Sequence, residues 1–447
     1  MESKSLTKIN ILSKDIIRSF PTSNHDNNVD HPKIYKLSLF DQFALQMHVP
    51  YVLFYPLKLP TFIKISSIHE RLEQSLSKLL THVYPASGRF ASDGQSINCH
   101  DEGVLYIKAK VDSQFCDFIK DARKDIDLAL NFCPKINRNE SNLCTTPLAV
   151  VQVTEFACGT GIALSMSTEH AVIDGFTALK FVYEWSKVSK MGIKIHSDKI
   201  NCFTFDDFGT IFPPTSDNRL SKVVNDDHDF SEMVARRFVI NESVISTLRE
   251  KIGVVNFRPS RVELVIAFLW RALINVYRRK NNGRLRPCLL IVPVNLRGKI
   301  NFPIYKNSFG NFAIEVPIKF IPGETRMELQ DILLLLKDVI QKTNVSFEKS
   351  SDDIYTLASK FHEEIQEWEE NEQVDVCMAS SLCGFPINEA DFGWGKPCLT
   401  SLGLRRSDMF WLYDTECGTG IVVQADLKKD YMEMFGCDKE FFIQSRI

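Results

Sequence analysis

Residues 148–175 read LAVVQVTEFACGTGIALSMSTEHAVIDG, and the way this stretch folds decides the architecture around it. From Leu148 to Phe156 apolar and polar side chains alternate, and they do so again from Gly161 to Ser167, with the period of two that belongs to extended strands. Between them Cys158-Gly159-Thr160-Gly161 supplies a hairpin turn with two residues able to take positive φ. On the second strand Ile162, Leu164 and Met166 face one way and Ala163, Ser165 and Ser167 the other, so one face is expected to present small polar groups. Beyond Thr168 and Glu169 the period changes: Leu179, Val182, Trp185 and Val188 recur at helical intervals from about Gly175 to Lys190. His170 is therefore expected where a strand hands over to a helix.

Working outward, Phe62 to Tyr84 has a helical apolar spacing that Tyr84-Pro85 stops, and Ser96 to Cys99 and Val104 to Val111 read as strands. Asn201 to His228, with Phe212-Pro213-Pro214 and an acidic polar run, has little periodicity and reads as a crossover. Arg236 to Ile240 then reads as a strand, Glu242 to Lys251 and Ser260 to Arg278 as helices, and Pro287 to Pro293 as a buried strand. This mixture of periods argues for an α/β fold. At 447 residues the chain exceeds one comfortable core. The reading is of an N-terminal domain over 1–200, a crossover over 201–228 and a C-terminal domain over 229–447. An internal echo supports it: Cys158-Gly159-Thr160-Gly161-Ile162 returns as Cys417-Gly418-Thr419-Gly420-Ile421, although only the first copy leads into a histidine.

Composition narrows the partners. A net charge of −3, with no run of Lys and Arg, offers neither a nucleic-acid stripe nor a field for an anionic membrane. The apolar run Leu264 to Tyr277 is interrupted by Arg271 and is shorter than the roughly 20 residues a bilayer demands, so it reads as a buried helix. The N-terminal residues alternate charge and polarity where a secretory signal would be apolar, and the C-terminal residues match no retention signal, so the expected location is the cytoplasm. Twelve cysteines are scattered without a CxxC pair or histidines at ligand spacing, so reduced thiols and no metal are expected.

Two constellations carry candidate chemistry. In His170-Ala171-Val172-Ile173-Asp174-Gly175 a buried apolar triplet separates two polar groups, each of which needs a partner or an opening. A hydrogen-bonded core histidine satisfies that pattern as well as a base does. Asp391-Phe392-Gly393-Trp394-Gly395-Lys396-Pro397 reads as a tight turn packing an indole, with Asp391 able to anchor an arginine. Tyr84-Pro85-Ala86-Ser87-Gly88-Arg89 and Val294-Asn295-Leu296-Arg297-Gly298 have no general catalytic meaning by themselves.

Together, in this order, His170 through Gly175 and Asp391 through Gly395 resemble the BAHD acyltransferase family of plants. Tyr84 to Arg89 is similar to the family's YPLAGR turn, Ile97 to Gly103 to its INCNDxG strand, Asn295 to Arg297 to its NLR, and Phe309-Gly310-Asn311 to its GN turn. Leu37 to Gln42, Tyr51 to Pro56 and Leu76 to Pro85 look closest to the alkaloid-acetylating branch. Ser380-Ser381-Leu382-Cys383-Gly384 departs from the usual SSWCR, losing a tryptophan and an arginine.

The resemblance implies two domains, each a mixed sheet with flanking helices, related to chloramphenicol acetyltransferase, with a channel between them. It implies transfer of an acyl group from acyl-CoA as co-substrate to the hydroxyl of a small molecule by a monomer, with no permanently bound cofactor. In it His170 is the general base, Asp174 turns away to support the motif, and Asp391 is structural and pairs with Arg297. Ser260 matches a Ser/Thr position near the cofactor. The branch and the missing arginine point to acetyl-CoA and an alkaloid alcohol; malonyl and hydroxycinnamoyl donors are the alternatives. A cysteine acyl-enzyme and a noncatalytic metabolite-binding protein of the same fold are the rival readings.

Overall fold

The structure, a computed structural model, describes residues 8–20, 32–57, 65–136, 143–192, 200, 202–215, 232–299, 304–346 and 351–436. It divides into two units. The first takes Met1–His228 with Tyr305–Asn311 and Phe385–Leu404; the second takes Asp229–Ile304, Phe312–Gly384 and Arg405–Ile447.

The sheet of the first unit has the order β1 (Ile9–Ile17), β6 (Val104–Val111), β7 (Ala149–Phe156), β8 (Gly161–Glu169), β3 (His48–Pro56), β13 (Leu399–Leu402), antiparallel except at β6–β7. A smaller sheet joins β2 (Ile34–Lys36), β5 (Ser96–Asn98) and β4 (Arg89–Phe90). The helices are α1 (Leu39–Phe43), α2 (Ile65–Leu80), α3 (Phe115–Lys124), α4 (Ile126–Leu130), α5 (Gly175–Met191) and α6 (Phe208–Ile211). A cluster of Phe54, Phe118, Phe132 and Phe156 fills the space between the sheet and α3–α4, with ring centroids 4.8–5.4 Å apart. Pairs of this kind add about 0.5–1.5 kcal/mol beyond area burial. Helices α2 and α5 pack together, and the buried Trp185 of α5 donates to Ser75 Oγ of α2 at 3.0 Å.

The second unit has the order β11 (Ala313–Phe320), β10 (Cys288–Asn295), β12 (Asp375–Ser381), β14 (Met409–Asp414), β15 (Ile421–Lys428), β9 (Met233–Ile240), parallel at β10–β12 and β12–β14. Its helices are α7 (Glu242–Lys251), α8 (Arg261–Lys280), α9 (Leu329–Ser346), α10 (Ser351–Glu369) and α11 (Lys429–Gly436). Ser260 and Glu263 close a capping box at the start of α8, which satisfies two otherwise orphaned amides. Most of α8 is buried, and among the described residues no helix is long and apolar enough to cross a membrane.

Four expectations change. The segment Phe385–Leu404 does not stay with the C-terminal half: Leu399–Leu402 pairs antiparallel with β3, which brings the Asp391 loop into the first unit. The small polar side chains of β8 do share one face, and that face is covered like the other: every residue of the strand is buried, and Ser165 Oγ donates to the Tyr51 carbonyl at 3.1 Å. In the hairpin turn Gly159 alone takes positive φ, 70°, while Gly161 is glycine because a Cβ would collide with the Phe115 ring. The first helix starts at Ile65 in the described residues, residues 62–64 lying outside them, and Tyr84–Ser87 forms a separate 3₁₀ turn. Of the crossover 201–228, residues 201 and 216–228 lie outside the described residues; within it α6 forms beside the buried Phe212.

Candidate active site

His170 follows directly from β8. Its N–H donates to the Met47 carbonyl at 2.8 Å, its own carbonyl accepts from Asn311 Nδ2 at 2.8 Å, and Val172 and Ile173 N–H turn back to the Glu169 carbonyl. The next three residues are buried, as their apolar character requires, while His170 itself keeps partial exposure. Its Nδ1 is buried without a hydrogen-bond partner among the described residues, leaving Nε2 as the nitrogen available to a substrate. Asp174 is the N-cap of α5 and accepts the Thr177 N–H at 2.8 Å, the geometry in which a carboxylate holds a helix start. The spacing of four between His170 and Asp174 thus reflects a one-turn loop ending in a cap.

Asp391 sits at the other end of the same helix. Its Oδ2 takes Lys190, in the last turn of α5, at 2.6 Å, and its Oδ1 accepts the Gly393 and Gly395 N–H at 2.8 and 2.9 Å. Burial alone would raise this carboxyl, but Lys190 and the two amides outweigh burial and hold it below the usual carboxylate range. Phe392 and Trp394 stack at 5.6 Å, Phe392 meets Trp185 edge-on at 5.0 Å, and Arg71 lies over Trp394 while donating to the Ser189 carbonyl at 2.7 Å. The loop is therefore a clamp on the C-terminus of the helix whose N-terminus follows His170. The expected partner Arg297 belongs to the second unit, where it reaches Asn295 Oδ1 at 3.3 Å and lies 4.8 Å over the Phe312 ring. Asp391 turns to Lys190 because β13 carries its loop onto the first sheet, where a lysine ends the neighbouring helix.

Ser260 spends its hydroxyl as a helix cap, accepting the Glu263 N–H at 3.2 Å. It lies on the wall of an open cavity of about 580 Å³ with Arg249, Arg258, Lys299 and Lys337. Lys337 pairs with Glu263 at 2.9 Å, burial lowers the Lys299 ammonium, and Arg249 Nε and Asn344 Oδ1 are buried without hydrogen-bond partners among the described residues. Sequence reading found Ser260 and missed these cations, because they are scattered from 249 to 337 and meet only in the fold. Among the described residues no group of three or more His, Cys, Asp or Glu side chains could hold a metal ion.

The Transferase family model matches residues 7–442. Akuammiline synthase 2 from Alstonia scholaris is 32% identical over 87% of this chain and 84% of its own. The chain belongs to the BAHD acyltransferase family. Salutaridinol 7-O-acetyltransferase from Papaver somniferum is 29% identical, covering 96% of both chains. The crystal structure of vinorine synthase superposes with a TM-score of 0.80 at 26% identity, covering 98% of each chain. As a BAHD member the chain is an acyl-CoA-dependent acyltransferase of mixed α/β fold.

Proposed function

We propose that this acyltransferase moves an acetyl group from acetyl-CoA to a hydroxyl of a plant alkaloid, with His170 as the general base. The observation that carries the reading is the His170 junction: a partly exposed imidazole, fixed through its backbone, whose neighbouring carboxylate is committed to a helix cap. A thioester is already activated, so the chemistry needs one positioned base to make the alcohol a nucleophile. Imidazole suits the task because its ordinary pKa lies near neutrality. The alcohol oxygen attacks the acyl carbon as its proton passes to Nε2. The tetrahedral intermediate then breaks its C–S bond, and the imidazolium returns the proton to the thiolate, giving ester and free CoA. Asp174 and Asp391 support α5 from its two ends and take no proton.

The phosphates of CoA are assigned to the cavity beside Ser260, where Arg249, Arg258, Lys299 and Lys337 gather at the N-terminus of α8. An arginine Nε buried without a partner fits an anionic ligand. For the donor, a malonyl carboxylate would need a cation in reach. Lys180 is paired with Glu184 at 3.1 Å and Arg405 with Asp426 at 2.7 Å. Gly384, which stands where the family's usual SSWCR has its arginine, takes φ 83° and gives its N–H to Asp414. Those commitments favour acetyl over malonyl, and the names of the akuammiline, salutaridinol and vinorine relatives favour an alkaloid acceptor. We place the enzyme in the cytoplasm as a monomer.

The test begins with monoterpene indole and benzylisoquinoline alkaloid alcohols screened with acetyl-CoA. Equimolar acetyl-, malonyl- and coumaroyl-CoA then compete for one accepted alcohol. Acetyl ester should predominate; predominance of malonyl ester would overturn the donor assignment, and no CoA release with any acceptor would favour a binding protein.

A further inference from the structure

Three features of the first unit converge on the peptide that follows His170. Asp41, on α1, is 2% exposed and Asn311 is 3% exposed. Asp41 Oδ1 accepts both the backbone N–H and Nδ2 of Asn311, at 3.1 and 2.8 Å, and the same Nδ2 donates to the His170 carbonyl at 2.8 Å. The other carboxylate oxygen is held by the Ser38 N–H and hydroxyl, each at 2.8 Å. The turn that delivers Asn311 is itself fixed: Gly310 takes φ 124°, a value that favours glycine, and its carbonyl accepts from Thr177 Oγ1 at 2.9 Å. The Tyr35 hydroxyl donates to the Phe309 carbonyl at 3.2 Å. One amide thus ties the N-terminal segment, the histidine loop and residues 309–311 together.

The His170 ring needs such a device. Among the described residues its Nδ1 has no hydrogen-bond partner, and none of their side chains orients the imidazole as an acid would in a triad. Ring direction then rests on the backbone that sets the Cα–Cβ bond. Met47 fixes the N–H of His170, Asn311 its carbonyl, and Glu169 Oε1 accepts the Ala171 N–H at 3.3 Å, so the peptides on both sides of the histidine are held. Burial outweighs the Ser38 and Asn311 donors and raises the Asp41 carboxyl to about 6. A buried carboxylate kept at this cost needs a purpose.

We infer that Asp41 and Asn311 are positioning residues for the acyl transfer, holding the His170 backbone so that an imidazole without an orienting partner points at the acceptor hydroxyl. This deepens the general-base reading and rests on it. Displacing a base by about 1 Å can cost on the order of a hundredfold in rate.

The experiment compares Asn311→Leu, which keeps the branched shape and removes both Nδ2 hydrogens, and the milder Asp41→Asn, each alone and together, in wild-type and His170→Ala enzymes. In the wild-type background Asn311→Leu should lower kcat about ten- to hundredfold, with KM for acetyl-CoA and for the alcohol within about twofold. Asp41→Asn should fall between, and the double variant should be no slower than Asn311→Leu alone. In the His170→Ala background each substitution should leave the residual turnover within about twofold, since there is no ring to position. An equal loss in both backgrounds, or a change confined to KM, would overturn the inference. If Asn311→Leu does not fold, Asp41→Asn in the two backgrounds decides in the same way. A His170→Ala enzyme as fast as wild type would be the failure of the base assignment itself, visible before any Asn311 data are taken.

Discussion

Two hairpins of the same spelling, Cys158 to Ile162 and Cys417 to Ile421, stand in different units and are built alike, yet one delivers a histidine and the other a lysine. Glu155 lies opposite Ile162 in the first and Asp414 opposite Ile421 in the second. Gly159 and Gly418 take φ of 70° and 75°, while Gly161 and Gly420 leave room for the Phe115 ring and the Ile240 carbonyl. The strands around them, β6-β7-β8-β3 and β12-β14-β15-β9, run parallel, antiparallel, antiparallel in turn. The match reaches the junction: His170 N–H donates to the Met47 carbonyl and Lys429 N–H to the Glu232 carbonyl, both at 2.8 Å. The fold therefore builds one junction twice, and the chemistry comes from what is added to one copy. In the first unit the strand leads into a one-turn loop, the Asp174 cap and the Asn311 contact; in the second it passes straight into α11.

The sharpest way to break this comparison is to remove each junction side chain. His170→Ala should lower turnover by roughly 10² to 10⁴, about 3 to 5 kcal/mol in barrier, with folding intact. Lys429→Ala, at the matching position, should leave initial rates within about twofold; equal losses would mean that the junction matters and the imidazole does not. A smaller effect separates the tasks of the units. Arg249→Ala or Lys299→Ala should raise KM for acetyl-CoA about tenfold, about 1.4 kcal/mol, with kcat unchanged. A fall in kcat alone would move the phosphates elsewhere.

The smallest effect concerns the clamp on α5. The Lys190 end of its ion pair with Asp391 is exposed, so the pair adds little, and the loss in Asp391→Ala is chiefly that of an acceptor for two glycine amides. Stability should fall by about 1 to 2 kcal/mol in denaturant titration, less than the 3 to 5 expected of a buried pair with arginine. Asp391→Asn, which keeps an oxygen for those amides, should lose less. Loss of turnover at unchanged stability would put Asp391 in the chemistry.

Much of this was legible in the sequence because it is local. Alternation placed Val104–Val111, and helical spacing placed Glu242–Lys251, with the boundaries the structure shows. The acid three residues after Ser260 is a capping box written in the chain, and Ser38 with Asp41 spells another that went unread. What was not legible depends on pairings across hundreds of residues. Nothing in Leu399–Leu402 says that it joins the first sheet rather than the second, so the sequence alone leaves the Asp391 loop with the C-terminal half, whereas the structure places it in the first unit beside Lys190. Asn311 stands in a legible motif, but its hold on His170 follows from a turn whose neighbours are 141 and 270 residues away. Period two separates the small polar side chains of β8 from its apolar ones but does not report what covers each side, and both sides are buried.

Direct transfer at a single imidazole is the central claim, and its most direct test is rapid-quench intact-protein mass spectrometry of the wild-type enzyme mixed with acetyl-CoA and an accepted alcohol. The protein should stay unacylated through the first turnover while ester and free CoA appear together. An acetylated chain that accumulates before the ester and decays as it forms would contradict the account and transfer the first step to a nucleophile on the protein.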